Sequence, residues 1–273
     1  MRRSFDALLV LATAVAVAFL LLPLVALFLR IPPDELLAQL GSEAARDALL
    51  VSLKTSLLAH VLILGIGTPV AYLLGTRRFR GREVLVSAIE LPLVLPPAVA
   101  GIGLLVAFGR RGLLGESLDA FGIQLPFTQA AVVLAITFVA SPFYVRQAIA
   151  SFAAVDRNLL DASRTLGASP ARTFGGVALP LAAGGLAAGS SLAFARGLGE
   201  FGATIIFAGS FQGETRTAPL AIYAELDLDF DAALAIGALL VLVSIAFLAA
   251  VKLLTSWTFT STSPSASAAS SSS

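Results

Sequence analysis

Long apolar stretches alternate with short charged ones along the chain. Six intervals are predominantly apolar and reach the length of about 20 residues that a helix needs to cross a bilayer. They are residues 7–29, 55–76, 84–109, 120–145, 181–208 and 232–251. Glu90 interrupts the third interval, and Arg196 and Glu200 interrupt the fifth. The pattern predicts an all-α integral membrane protein with six transmembrane helices.

Composition supports this prediction and narrows the function. Only 13% of the residues are charged, against roughly 25% in soluble domains. A net charge of +1 gives no field that would attract nucleic acid, so we expect no nucleic-acid partner. Cysteine is absent and His60 is the single histidine, which argues against thiolate or histidine-cluster metal sites. We expect no catalytic residue and no metal site.

The chain begins MRRSFD, which resembles the basic start of a signal peptide. The 23 uncharged residues of 7–29 exceed the apolar core of about 7–15 residues in such signals, so a retained helix is favoured and cleavage is the alternative. We expect a first helix and external loop over 1–47, a core membrane domain over 48–254, and a disordered Ser-rich cytoplasmic tail over 255–273.

The arginines predict the orientation. If six helices alternate, one side of the membrane collects Arg2, Arg3, RRFRGRE at 77–83, Arg157, Arg164 and Arg172. Basic residues resist translocation, so this side is expected to be the cytoplasm. The chain would then be a multi-pass protein of the cell (inner or cytoplasmic) membrane, with both termini in the cytoplasm.

A polar interval separates the fourth and fifth apolar stretches. Four apolar residues of VDRNLLDASRTLG share one helical face: Val155, Leu159, Ala162 and Leu166. Gly167 suits the left-handed end of this helix, Ser169 can cap the next one, and Pro170 suits its first turn. An amphipathic helix of this kind fits either a groove of another protein or the lipid headgroups, and the residues alone leave both open.

The same interval resembles the Glu-Ala-Ala loop of ABC importer permeases. The matching positions are Asp161, Ala162, Ser163, Gly167, Val177, Leu179 and Pro180. Asp, Ser and Val stand where the family has Glu, a second Ala and Ile. The resemblance implies a type I ABC importer permease fold, in which residues 151–180 form cytoplasmic coupling helices that dock in a cleft of the ATP-hydrolysing subunit.

Four further stretches look like the permeases that import molybdate, tungstate and, more distantly, sulfate. They are LPLVLPPAVAGIGLL (91–105), GRRGLLGE (109–116), FARGLGEFGATIIFAG (194–209) and GETRTAPLAIY (213–223). This resemblance implies import of a tetrahedral oxyanion, with molybdate or tungstate expected and sulfate as the alternative. It also implies that an extracytoplasmic binding protein delivers the oxyanion.

The energy source must lie outside this chain if it is ATP-driven. A Walker A site requires a Gly-Lys pair, and the two lysines, Lys54 and Lys252, follow Leu53 and Val251. We therefore expect a non-enzymatic subunit without a bound cofactor, with ATP and Mg²⁺ on the partner. The resemblance implies two ATPase subunits, a second copy of this chain and one binding protein, with membrane lipid around the assembly.

Charges and helix breakers within the apolar stretches mark a candidate translocation pathway. The candidates are Arg196, Glu200, Phe201, Gly202, Thr204, Glu90, Pro96 and Pro97. Arg196 and Glu200 are spaced to share a helix face, where they would either line the path or clamp two helices. The prolines break the third span, for movement or for a fixed kink. His60 is interpreted as a packed hydrogen-bonding group rather than a proton relay.

Two other functional classes fit less well. An ion-coupled secondary transporter would need buried acids at mid-membrane, for which Glu200 and Glu90 are available. An intramembrane enzyme would need a catalytic constellation, and no Ser/His/Asp grouping is evident around one histidine.

Overall fold

The computed structural model describes residues 2–260, without the side chains of residues 2–4, 33, 35, 37, 40, 252 and 254–260. This part of the chain is helical and contains no β-strand, which confirms the all-α prediction. The elements are α1 (Arg2–Arg30), α2 (Pro33–Leu40), α3 (Glu43–Thr76), α4 (Arg82–Val94), α5 (Pro97–Phe108), α6 (Gly115–Ala120), α7 (Gln129–Ala153), α8 (Arg157–Thr165), α9 (Pro170–Thr173), a π-helix (Phe174–Ala178), α10 (Leu179–Leu198), α11 (Gly202–Phe207), α12 (Ala218–Glu225) and α13 (Phe230–Thr260). Because α13 runs to Thr260, it includes the first part of the predicted tail. Residues 261–273 lie outside the described residues.

Five candidate membrane spans occur within the described residues. They are Phe5–Arg30, Glu43–Thr76, Gln129–Ala153, Pro170–Leu198 and Phe230–Val251. The chain bends by 115° between α4 and α5, which form either one broken span or a re-entrant loop. If this bent pair counts as one span, the number is the six that the sequence predicts.

The predicted break in the third span is confirmed, because Leu95 and Pro96 separate α4 from α5. The bounds of two other predicted spans are corrected by the structure. The span over 120–145 is wrong at both ends, because α7 covers Gln129–Ala153. The span over 181–208 ends early, since residues 199–201 separate α10 from α11.

A local cap explains where α7 begins. The Thr128 hydroxyl accepts a hydrogen bond from the Ala131 backbone N at 3.3 Å, and so satisfies one of the free N–H groups in the first turn. Pro126, two residues earlier, precedes this cap in a turn. The apolar residues ahead of Thr128 are therefore outside the helix.

The described parts of residues 1–51 and 210–242 form one compact unit. Four buried alanines and one isoleucine of α3, α12 and α13 make its core: Ala45, Ala48, Ala218, Ala221 and Ile236. Helix α1 buries none of its most apolar stretch. An apolar helix with such exposure is suited to contact with lipid.

The described parts of residues 52–209 and 243–273 form a second unit, whose core lies around α7. Glycines of α10 allow close approach to α7. A Cβ atom at Gly189 would lie 2.9 Å from Gln147 Cβ, and one at Gly197 would lie 2.8 Å from Ile136 Cγ2. Membrane helices associate through small residues in this way, because lipid offers no hydrophobic driving force.

A single π turn joins α9 to α10. It covers Phe174–Ala178, and the Leu179 N–H donates to the Phe174 carbonyl five residues earlier. Such turns are rare in proteins, and those that occur are often found at functional sites. The polar interval is therefore connected to a membrane span by continuous helix rather than by a loop.

Candidate functional site

The first candidate site is the interhelical segment, residues 151–180, which carries α8 and α9. The Asp156 carboxylate accepts a hydrogen bond from Asn158 N at 2.9 Å and caps α8. Gly167 has φ of 84°, and the Ser169 hydroxyl accepts from Arg172 N at 3.3 Å at the start of α9. The predicted stop at Gly167 and restart at Ser169 are confirmed.

Helix α8 is anchored on one side and exposed on the other. Leu160 is buried in the core, whereas Leu159 and Ala162 are exposed and Leu166 is 88% exposed. The prediction that Val155 shares their face is wrong, because Val155 precedes the cap of α8 and is buried. We call Leu159, Ala162 and Leu166 the exposed apolar face of α8.

One polar contact lies within α8, and a second joins α8 to α9. The carboxylate of Asp161 is exposed and accepts from Arg164 Nη1 at 3.0 Å. The hydroxyls of Ser163 and Thr173 are 3.1 Å apart, and Thr173 is fully buried. The two short helices therefore share a hydrogen bond across the Gly167 turn.

The last residues matched to the coupling pattern lie where the segment meets the membrane helices. Val177 and Leu179 are half-buried and pack against the core cluster that contains Phe152. Pro180 is exposed in the first turn of α10. The matched residues thus include both the outer helix and its attachment to the core.

The second candidate site is the break between α10 and α11, residues 199–201. The prediction that Arg196 and Glu200 share a helix face is wrong, because α10 ends at Leu198. The two side chains nevertheless form an ion pair, with Arg196 Nη1 and Glu200 Oε2 at 2.7 Å but without hydrogen-bond alignment. Glu200 Oε1 accepts from Ala203 N at 2.8 Å and so caps α11. The Glu200 side chain is 1% exposed and that of Arg196 is 28% exposed.

Helix α11 packs directly on α5. A Cβ atom at Gly202 would lie 2.7 Å from Pro97 Cβ, and one at Gly101 would lie 2.9 Å from the Ala203 carbonyl oxygen. The first residues of both helices therefore lie side by side. The two broken spans meet at their breaks.

Other predicted pathway residues surround this contact or lie apart from it. Pro96 is the N-cap residue of α5, and Phe201 is half-buried before α11. The Thr204 hydroxyl is buried without a hydrogen-bond partner among the described residues. Glu90 instead pairs with Arg146 of α7 at 3.4 Å. Sequence reasoning missed this pair, because no periodicity relates residues so far apart.

The single histidine is held by packing contacts. His60 Nε2 lies 2.8 Å from Ser190 Oγ. Its ring also meets the Phe194 ring edge to face, with centroids 5.5 Å apart. The interpretation of His60 as a packed hydrogen-bonding group is confirmed.

We expect Gly101→Val to destabilise the contact between α5 and α11. The new Cβ would approach the Ala203 oxygen and Ile206 Cβ, both at 2.9 Å, and overpacking of this kind costs about 1–3 kcal/mol. Thermal unfolding in detergent measures the effect. Gly103→Val is the matched control on the same helix, because its Cβ would meet open space. Equal melting temperatures of the two variants would contradict the close contact.

Comparison with known proteins establishes the family. Residues 67–259 match the family described as binding-protein-dependent transport system inner membrane component. The chain belongs to this family. The permease is 47% identical over 211 residues to the molybdenum transport system permease protein ModB of Mycobacterium tuberculosis, which covers 77% of the permease and 79% of that relative. It is 34% identical over 212 residues to a probable sulfate transport system permease protein of Chlorokybus atmophyticus, with 76% and 74% covered.

A solved structure shows the same fold. The permease aligns with a chain of a bacterial ABC transporter involved in the import of the acidic polysaccharide alginate, with a TM-score of 0.74 over 96% of the permease and 97% of that chain. The sequences are 16% identical, so this likeness concerns the fold alone. The predicted type I ABC importer permease fold is confirmed, and the permease is a multi-pass membrane protein.

Proposed function

We propose that the permease is the membrane subunit of an ATP-driven importer of molybdate, with tungstate as a second cargo of the same tetrahedral shape. The identity of 47% to a relative named for molybdenum transport supports this cargo. Sulfate is the alternative, and the 34% identical relative named for sulfate transport favours it less. In either case the external binding protein would carry most of the selectivity.

The observation that carries the mechanism is the exposed apolar face of α8. A leucine side chain contributes about 1.5–3 kcal/mol when it becomes fully buried, so Leu159 and Leu166 favour docking into a cleft of another protein. An ATPase subunit that received this face would move α8 as a rigid element. The Ser163–Thr173 hydrogen bond and the π turn would pass that movement to α10.

The orientation follows from the basic residues. RRFRGRE at 77–83, together with Arg157, Arg164 and Arg172, lies on the cytoplasmic side in this proposal, and so do both termini. The assembly contains two permeases, two ATPase subunits and one extracytoplasmic binding protein in the cytoplasmic membrane. The permease itself is not the enzyme and binds no cofactor, since ATP and Mg²⁺ belong to the ATPase.

The oxyanion passes the break at residues 199–201 in this proposal. Arg196 is partly exposed and offers positive charge, while Glu200 holds its guanidinium in place. The start of α5, beside Pro97, adds the positive end of a helix dipole. Closure of the ATPase pair turns the permease outward to the loaded binding protein, and hydrolysis resets it.

Reconstitution tests the proposal. Proteoliposomes with the permease, its ATPase and its binding protein are expected to take up molybdate and to hydrolyse more ATP when molybdate is present. Omission of any one protein should abolish uptake. A preference for sulfate would overturn the cargo but not the importer class. Uptake driven by an ion gradient without ATP would overturn the class and favour a secondary transporter.

A further inference from the structure

An arginine-lined cavity lies where α3 ends and α4 begins. Its volume is about 550 Å³, within the range of roughly 300–1,000 Å³ that is usual for ligand pockets. Arg77, Arg78 and Arg157 line it together with Phe79 and Val84. A second cavity of about 440 Å³ shares Arg77 and Arg157 with the first.

The cavity carries positive charge that the described residues do not neutralise. A fourth arginine of its wall, Arg82, pairs with Glu83 and donates from Nε to a backbone carbonyl of α3 at 2.7 Å. The other three arginines have no acidic partner among the described residues. Guanidinium groups remain charged at any physiological pH, so the cavity attracts an anion.

The surroundings of the cavity are those of a membrane interface. Helix α3 is a candidate span and ends at Thr76, directly before the arginines. Helix α4 has no buried residue, and Val84 beside the cavity is 72% exposed, with Leu85 next to it also exposed. Arginines at the end of a span, beside exposed aliphatic side chains, match a molecule with an anionic head and apolar tails.

We propose that this cavity binds the phosphate of an anionic phospholipid. The guanidinium groups donate to the phosphate oxygens, for which their planar fork is suited. The acyl chains lie along Val84 and Leu85. A free oxyanion such as inorganic phosphate shares the tetrahedral anionic chemistry but makes no use of the apolar side. The proposal depends on the membrane location of the permease and not on the cargo proposed above.

The proposed lipid site lies next to α8, the proposed coupling helix. Arg157 is the first residue of α8 and lines both cavities. The second cavity also contains Asp161 and Arg164 of α8. A bound phospholipid therefore contacts the base of the helix that carries the exposed apolar face.

Native mass spectrometry of the full-length permease in detergent tests the site. Dioctanoyl phosphatidylglycerol is the probe, and dioctanoyl phosphatidylcholine, whose zwitterionic headgroup has no net charge, is the control. Each arginine near an anionic lipid contributes about fivefold in affinity, so Arg78→Gln should weaken phosphatidylglycerol binding about fivefold and Arg77→Gln with Arg78→Gln roughly 30-fold. Arg80→Gln is the matched control, because Arg80 belongs to the same loop but lines neither cavity.

Three outcomes would overturn the proposal. If wild type and the double variant retain phosphatidylglycerol equally, Arg77 and Arg78 do not contribute to a lipid site. An equal loss in Arg80→Gln would indicate general surface charge instead of this cavity. Retention of inorganic phosphate or molybdate without retention of phosphatidylglycerol would assign the cavity to a free oxyanion. Unchanged elution in size-exclusion chromatography shows that each variant is folded.

Discussion

Gly167→Pro is expected to abolish stimulation of the ATPase while the permease still inserts into the membrane. Gly167 has φ of 84°, whereas proline fixes φ near −65°, and the proline also removes the N–H that donates to the Arg164 carbonyl at 2.9 Å. Backbone strain of this kind costs about 1–3 kcal/mol, which a short exposed turn relieves by changing shape. The exposed apolar face of α8 would then no longer be presented to its partner.

Copurification of the ATPase subunit and its rate of ATP hydrolysis measure this effect. Gly122→Pro is a matched control, because Gly122 has φ of 69°, donates to the Asp119 carbonyl at 2.9 Å and has open space at the Cβ position. It follows α6 and lies outside the interhelical segment. Full coupling in the Gly167 variant would exclude this turn from the coupling mechanism. Loss of copurification in both variants would show that the effect is not specific to the segment.

Arg196→Ala is expected to lower the free energy of unfolding by about 3–5 kcal/mol, because the nearly fully buried Glu200 carboxylate loses its partner. The melting temperature in detergent should fall by about 10 °C. Molybdate uptake into proteoliposomes should fall as well. A melting temperature like that of wild type would contradict the structural importance of the pair.

The double variant Arg196→Met with Glu200→Gln tests whether this ion pair clamps two helices or lines the translocation pathway. Glutamine keeps an oxygen that can accept from Ala203 N, and methionine fills the volume without a charge. The melting temperature is expected to return toward that of wild type. Uptake that also returns would identify the pair as a clamp alone. Uptake that stays low in a stable protein would show that the Arg196 charge acts on the oxyanion.

The interhelical segment was predictable almost residue by residue because its signals are local. A left-handed glycine, a serine cap and a proline in the first turn each depend on a few neighbours. The structure has all three, at Gly167, Ser169 and Pro170. The start of α7 was missed although Thr128 offered a local signal, because the apolar run before it favoured helix.

The geometry at residues 199–201 could not be predicted in the same way. Apart from Glu200, apolar residues continue on both sides of the break, and a single charge does not show that α10 ends at Leu198. The contact between Pro97 and Gly202 joins residues that are distant in the chain, and so does the Glu90–Arg146 pair. Such contacts depend on tertiary packing, which the spacing of residues along one helix does not contain.

The π turn at Phe174–Ala178 sets the rotational phase of the helical run that contains it. Each residue of an α-helix advances by about 100° around the axis. A π turn has a longer hydrogen-bonded ring and therefore shifts the angular position of the residues that follow it. The azimuth of α9 relative to α10 therefore differs from the one that an unbroken α-helix would impose. Thr173 can point to Ser163 while Gly189 points to α7, within one continuous run that an unbroken α-helix would have wound into a different alignment.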